Sequence, residues 1–165
     1  MNPLLNKEPV KRAEKSIKEF DPNLEIICLE QTARTAQDAA TALGCNVGAI
    51  VKSLLFSAEE GFVLCLVSGD KRCSLNKLKK IIDKKDVSMA KPDDVKKITG
   101  YTIGGVSPVG HLTRIKIFID RSLERFTEVF AAAGHPNCVF EINFNKLINL
   151  TSGEIKDLSE WGNQN

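Results

Sequence analysis

The chain has 165 residues, 42% of them hydrophobic and 27% charged, with a net charge of +2 at pH 7. A chain of this length fits one domain whose core needs neither disulfide nor metal, and so small a charge excess excludes any composition-level mark of nucleic-acid binding. The five cysteines form no CxxC pair. Cys28, Cys45, Cys65 and Cys138 stand among apolar or small residues, which predicts reduced core thiols in a cytosolic protein rather than a disulfide framework.

The opening MNPLLNKEPVKR lacks the apolar centre of a secretory signal, and the longest apolar run, FVLCLV, is far too short to span a bilayer. Val10, Ala13, Ile17 and Phe20 recur at helical spacing and predict an amphipathic helix that Asp21-Pro22-Asn23 ends. LEIICLE reads as a strand. Thr35 followed by Asp38 resembles a capping box for a helix over AQDAATAL, with Gly44 as its stop. IVKSLLF and FVLCLVSG read as two strands of a hairpin, turning around Glu60-Gly61. Ser74 caps a helix over LNKLKKIID. Pro92 opens a helix through Asp93 to Ile98 that Gly100 closes. YTIGGVSPVGH is a loop, RIKIFID and CVFEINF are strands, and SLERF and NKLINL are short helices. Strands and helices mix without a strict βαβ rhythm, so the expected fold is a single α/β (α+β) domain over 1–165, a mixed sheet flanked by helices. Its N-terminal helix falls within 1–20 and its core within about 24–158.

Within IVKSLLF, Lys52 is the only charge. A lysine is almost never fully buried without a partner, so either its stem packs on apolar neighbours while the ammonium reaches water, or an anionic group comes to it. Lys52 and Ser53 cannot form a catalytic dyad within one strand, because successive side chains point to opposite faces. GGVSPVGH, from Gly104 to His111, combines backbone freedom at three glycines with a rigid proline. It reads either as a tight surface turn or as a loop that aims several N–H groups at one oxygen. Neither GxxxxGK[ST] nor GxGxxG is present, which disfavours a phosphate loop. His111 and His135 are the only histidines; His135 with Cys138 has no further ligand at a recognised spacing, so no metal is expected. Lys71, Arg72, Lys77, Lys79, Lys80, Lys84 and Lys85 face a single acid, Asp83, between positions 71 and 85. They read as a solvated helix face or as a site that draws in a phosphate backbone, without an aromatic residue for base stacking.

Taken together, these residues resemble the YbaK/EbsC family, aminoacyl-tRNA deacylases related to the editing domain inserted in bacterial prolyl-tRNA synthetases. The resemblance runs from about Thr32 to Thr151. It is carried by DAATALG, IVKSLLF, VLCLVSGDKR, TGYTIGGVSPVGH, IFID and AAAGHPNCVFEI, and above all by the pairing of a strand lysine with a downstream GG-x-SP loop.

The resemblance implies a mixed, strongly curved sheet with surrounding helices. It also implies hydrolysis of the ester joining a wrong amino acid to the 3′ acceptor end of a tRNA, typically that for proline, without a cofactor. Lys52, Gly104 and Gly105 take the catalytic positions. Thr35, Ser53, Tyr101, Val106, Ser107, Pro108 and His111 take the substrate-binding ones. Loop N–H groups would hold the carbonyl oxygen as charge grows on it, Lys52 would meet an oxygen near the terminal adenosine, and a neighbouring ribose hydroxyl would assist. The local charge excess assigns tRNA contacts to Lys71, Arg72, Lys77, Lys79 and Lys80. Further expectations are prolyl-tRNA synthetase as a partner, no membrane, a cytoplasmic location and a monomer or weak homodimer. Ser53 departs from the family pattern: the alanine-specific branch has Asn there and the cysteine-specific branch Thr. The loop is closer to the cysteine-specific branch, yet the aspartate of that branch's penultimate strand is not evident, Glu141 standing nearby. Cysteine and alanine therefore both remain as the residue removed. From other classes, a non-catalytic module holding a tRNA end or nucleotide, and a hydrolase of small acyl esters, also fit the residues.

Overall fold

The computed structural model describes residues 2–31 and 33–162; Thr32, where the resemblance begins, lies outside the described residues. Helix α1 (Glu8–Phe20) carries Pro9 in its first turn, where a missing N–H costs nothing, and buries Val10, Ala13 and Ile17. Strand β1 (Ile26–Cys28) follows. The Thr35 hydroxyl accepts the Asp38 N–H at 3.1 Å to start α2 (Ala36–Leu43), which ends on Gly44 in the left-handed conformation, φ 69°. Strands β2 (Ile50–Ala58) and β3 (Gly61–Ser68) form the expected hairpin, with Glu59 at φ 53° in its turn. After β4 (Lys71–Cys73), Ser74 caps α3 (Leu75–Ile82) by accepting the Lys77 N–H. Strand β5 (Val87–Met89) and α4 (Pro92–Thr99) lead, through Gly100 at φ 80°, into the loop. Then come β6 (Lys116–Asp120), β7 (Glu128–His135), β8 (Cys138–Asn143), α5 (Phe144–Thr151), β9 (Glu154–Lys156) and β10 (Ser159–Trp161).

The main sheet runs β1-β8-β7-β2-β3-β6-β9, with β5 on β2, while β10 and β4 pair separately. It is mixed, as expected: β2–β7, β3–β6 and β6–β9 are parallel and the remaining pairs antiparallel. One face carries Val51, Leu55, Leu64, Leu66, Ala131, Phe140 and Ile142 into a core closed by α1, α4 and α5. The other carries Phe56, Val63, Cys65, Val67 and Phe118 against Leu78 and Leu158.

Strand β2 decides where a site can form. It pairs with β3 from Val51 to Ala58. On its other edge it pairs with β7 only at Ile50 and Val51 and with β5 only from Phe56 to Ala58. From Lys52 to Leu55 that edge faces a gap in the sheet.

Several elements differ from the sequence expectation. SLERF is a short 3-10 turn, Arg121–Arg125. LEIICLE keeps only its middle as strand, and RIKIFID only Lys116–Asp120. Strand β7, EVFAAAGH, was not expected, because consecutive alanines and a glycine carry little strand preference. It is a strand because it lies between β2 and β8, where pairing on both edges decides its conformation. The three-residue strands β4, β5, β9 and β10 are too short for alternation to show.

Candidate active site

A cavity of about 280 Å³ opens in that gap. It is lined by the β2 residues Ile50 to Leu55, by Ala33 to Ala36, by Ile103, Gly104 and Val106 of the loop, and by Phe130, Ala132, Pro136 and Val139. The sequence-assigned residues Thr35, Ser53, Gly104 and Val106 thus meet in one place; Lys52 contributes to the wall, but its ammonium lies on the Lys71 carbonyl and not in the cavity beside the loop. Exposed Met89 and Ile103 form an apolar rim, and Arg34 puts a cation at it.

Ser53 Oγ is buried without a hydrogen-bond partner among the described residues. A buried hydroxyl left unpaired costs about 1–3 kcal/mol, and such a group in a native protein calls for a ligand or a water. The Ser53 main chain faces the same space. In an antiparallel pair successive residues turn their N–H and C=O to alternate edges. The Leu55 carbonyl accepts the Ala90 N–H on the gap side, at 3.0 Å, so Ser53, two residues earlier, turns its own groups to the gap.

Lys52 points to the face opposite Ser53, as strand alternation requires. Its ammonium is not free: it donates to the main-chain carbonyl of Lys71. Burial pushes the Lys52 pKa down, and Asp70 offsets this in part. Asp70 is itself gripped by both Arg125 guanidinium nitrogens, at 2.7 and 3.0 Å, and by the Ser68 hydroxyl at 2.9 Å. Burial acts to raise the Asp70 pKa, but those Arg125 and Ser68 hydrogen bonds outweigh it and hold the carboxyl below its ordinary value. The Lys52 ammonium therefore has a neutral acceptor and a fixed countercharge beside it, on the face of β2 away from Ser53.

The loop has an unexpected division of labour. The Gly105 N–H donates to the Thr102 carbonyl at 2.9 Å, and the Val109 N–H to the Ser107 hydroxyl at 3.2 Å. The N–H groups of Gly104, Val106 and Ser107 make no hydrogen bond among the described residues. Gly105 is thus a close-approach residue rather than an oxyanion donor: a Cβ there would lie 2.9 Å from His135 Cα and 3.0 Å from His135 N. Gly104 has φ 90° and room for a Cβ, so its constraint is conformational.

Tyr101, Gly105, Ser107, Pro108 and His111 do not line the cavity. Of these, Tyr101, Ser107 and His111 brace the loop from within, through hydrogen bonds to its own main chain. Tyr101 is fully buried; burial raises its pKa to about 12, and its hydroxyl donates to the Val109 carbonyl at 2.8 Å. His111 Nε2 lies 2.7 Å from the Ser107 carbonyl. A carbonyl only accepts, so Nε2 carries the hydrogen and donates; burial lowers the His111 pKa.

The basic stretch is dispersed. Arg72 pairs with Glu160 and Lys77 with Asp157, both at 3.0 Å. The Lys71 ammonium sits 3.6 Å from the Trp161 ring centroid, so β10 brings in the aromatic residue that the local sequence lacks. Lys79, Lys80, Lys84 and Lys85 surround a shallow depression on the α3 side. A larger open hollow of about 700 Å³ lies between Lys71, Arg121, Arg125 and Trp161. It is the poorer site, because Lys77 and Arg125 are already paired and no loop N–H points into it. Sequence reasoning missed Asp70, Arg125, Arg34 and the apolar rim; the SGDK run at the end of β3 is a local signal for Asp70 alone. Among the described residues no group of His, Cys, Asp or Glu is arranged to hold a metal ion, and the cysteines are free. None of their helices is long and apolar enough to cross a membrane.

Residues 30–150 match the model of the aminoacyl-tRNA editing domain. The chain is 32% identical over 112 residues to the proline–tRNA ligase of Thermosipho melanesiensis, spanning 68% of this chain and about a fifth of the ligase. It is 26% identical over 126 residues to the candidate Cys-tRNA(Pro)/Cys-tRNA(Cys) deacylase EbsC of Enterococcus faecalis, covering 76% of this chain and 77% of that one. A crystal structure of a candidate trans-editing enzyme for prolyl-tRNA synthetase superposes with a TM-score of 0.89 at 37% identity, over 93% of this chain and 98% of the other. With a match over residues 30–150 and this backbone agreement, the chain belongs to the aminoacyl-tRNA editing domain family.

Proposed function

We propose that the protein is a cytoplasmic aminoacyl-tRNA deacylase that acts in trans, cleaving the ester between a small, wrongly attached amino acid and the 3′ end of a tRNA, with tRNA for proline as the favoured carrier. The observation that carries this reading is a small, mostly apolar cavity lined by Ser53, whose buried hydroxyl has no partner among the described residues, and by Gly104 and Val106, whose N–H groups make no hydrogen bond there. The cavity suits an amino acid of few atoms. The hydroxyl suits one whose side chain or ammonium can hydrogen-bond, and cysteine is preferred over alanine.

In the proposed reaction the ester carbonyl oxygen takes the Gly104 and Val106 N–H groups, which stabilise the charge that develops when water adds to the carbonyl carbon. The tetrahedral intermediate then collapses and expels the ribose oxygen, which takes up a proton, and the amino acid leaves as its carboxylate. No carboxylate or imidazole is among the residues that line the cavity; the neighbouring ribose hydroxyl accepts one proton of the attacking water while passing its own to the departing ribose oxygen, and the second water proton leaves to solvent as the acid ionises. Lys52 holds the terminal nucleotide from the opposite face of β2, and Arg34 meets a phosphate at the mouth.

The test is single-turnover deacylation of tRNA(Pro) charged with cysteine, alanine, serine or threonine, beside the matching aminoacyl-adenosines. Hydrolysis of Cys-tRNA(Pro) ahead of the others is the expected result. Binding without turnover would establish a non-catalytic module. Equal rates on the minimal esters would mean an esterase indifferent to tRNA.

A further inference from the structure

Helix α1 lies outside the matched residues 30–150, yet it grips the substrate loop directly. Arg12 donates from Nε to the Gly110 carbonyl at 2.8 Å and from Nη2 to the Thr99 carbonyl at 3.4 Å. These two carbonyls stand just before and near the end of the loop. The guanidinium also lies over the Tyr101 ring, 4.6 Å from its centroid, and the Tyr101 hydroxyl reaches the Val109 and Gly110 carbonyls at 2.8 and 3.2 Å. One turn earlier, both Glu8 carboxylate oxygens accept from Arg12, at 2.5 and 2.8 Å.

A second contact passes through glycine. A Cβ on Gly134, φ 93°, would fall 2.6 Å from the Pro9 carbonyl oxygen, and a Cβ on Gly105 would fall 3.1 Å from the Gly134 carbonyl carbon. The first turn of α1, the end of β7 and the loop are stacked backbone on backbone with no side chain between them.

We infer that Arg12 is a positioning residue for the reaction, closing the segment from Thr99 to Gly110 into a ring so that the Gly104 and Val106 N–H groups stay aimed into the cavity. The planar, rigid fork of arginine is what the site uses: it bonds two carbonyls at once and stacks on an aromatic ring, which a lysine ammonium does not reproduce. The kinetic part of the inference rests on the deacylase reading; the structural part does not.

The test compares Arg12→Ala, Arg12→Lys and Glu8→Gln with the parent, and with Val10→Ala, which loosens α1 packing without removing the guanidinium or its acceptors. Both Arg12 variants are expected to lose about 10- to 100-fold in kcat while KM for tRNA stays within about twofold, because misplaced donors cost transition-state and not ground-state binding. Glu8→Gln shifts kcat in the same direction by less. Val10→Ala keeps its kcat within about twofold even where its Tm falls further. Millimolar guanidinium restores part of the rate of Arg12→Ala and none of that of Val10→Ala. Hydrogen exchange supplies the arm independent of activity: amides of residues 101–111 exchange faster in both Arg12 variants. A folded Arg12→Ala with parental kcat overturns the inference, as does a kcat loss that tracks Tm across all variants. Should the parent hydrolyse no mischarged tRNA, the deacylase reading falls, and unchanged exchange at 101–111 in Arg12→Lys would overturn the positioning role separately.

Discussion

The loop from Tyr101 to His111 and the basic stretch from Lys71 to Lys85 both offer groups that suit a tRNA, yet they are built differently. In the loop, Tyr101, Ser107 and His111 are committed to holding main chain, through Val109, Gly110 and Ser107, while Gly104 and Val106, which line the cavity, make no N–H hydrogen bond among the described residues. In the basic stretch, Arg72 and Lys77 are tied to surface acids, and the lysines of α3 stand toward water. Exposed ion pairs hold little energy and are screened by salt. Under the proposed function, this difference leads us to assign rate to the loop and affinity to the stretch.

Gly105→Val tests the loop side most severely. Its branched side chain meets the His135 backbone below 3.0 Å, so the loop must move. A loss of more than about 100-fold in kcat/KM is expected, together with a lower melting temperature from overpacking. Gly104→Ala separates the two causes, because its φ of 90° is strained while its Cβ has room. A fully active Gly105→Val would return the loop to an ordinary turn.

Lys52→Ala is next, with a loss of about 10- to 100-fold in single-turnover rate, the range seen when a positioned charge is removed. Lys52→Arg should also fail, since a planar fork cannot replace a point charge held at the Lys71 carbonyl. Parental rates in Lys52→Ala would remove the lysine from the mechanism.

Reversing Lys79 and Lys80 to Glu should raise KM for tRNA about three- to tenfold, leave kcat alone and flatten the salt dependence, because fewer counterions are released. An unchanged salt slope would make α3 a solvated face only, and a changed kcat would break the division between rate and affinity.

The smallest effect is a pH dependence of stability. Burial lowers the folded-state pKa of His111 below its ordinary value of 6.5. Its contribution is therefore fully present above pH 6.5 and is lost as pH falls through the lower folded value. Melting temperatures of the parent should drop more between neutral pH and pH 5 than those of His111→Gln. His135 is lowered as well, so only the difference between the two profiles is diagnostic; parallel profiles would mean that His111 does not titrate in that window.

Much of the site was legible in the chain because its signals are local. A lysine inside an apolar strand and two adjacent glycines before Ser-Pro each violate the ordinary pattern of their element, and both lie at the cavity or in the loop that closes it. Thr35, Ser74 and Gly44 fall at the helix ends they were read to mark, since caps satisfy backbone groups within a few residues of themselves.

What the sequence by itself determined was therefore the set of elements whose preferences are local, and the family to which their motifs belong. Tertiary structure decided the rest. It placed AAAG in a central strand through pairing on both edges, and it opened the gap at Lys52 to Leu55 because β7 and β5 leave β2 at different points. It took Gly105 out of the donor set through one bond to Thr102, and it brought Arg12 to a loop almost a hundred residues away, with a separation of 98 between Arg12 and Gly110. The physical reason is common to all four: each depends on which backbone groups remain unpaired once distant segments meet, and no local window of the chain contains both partners.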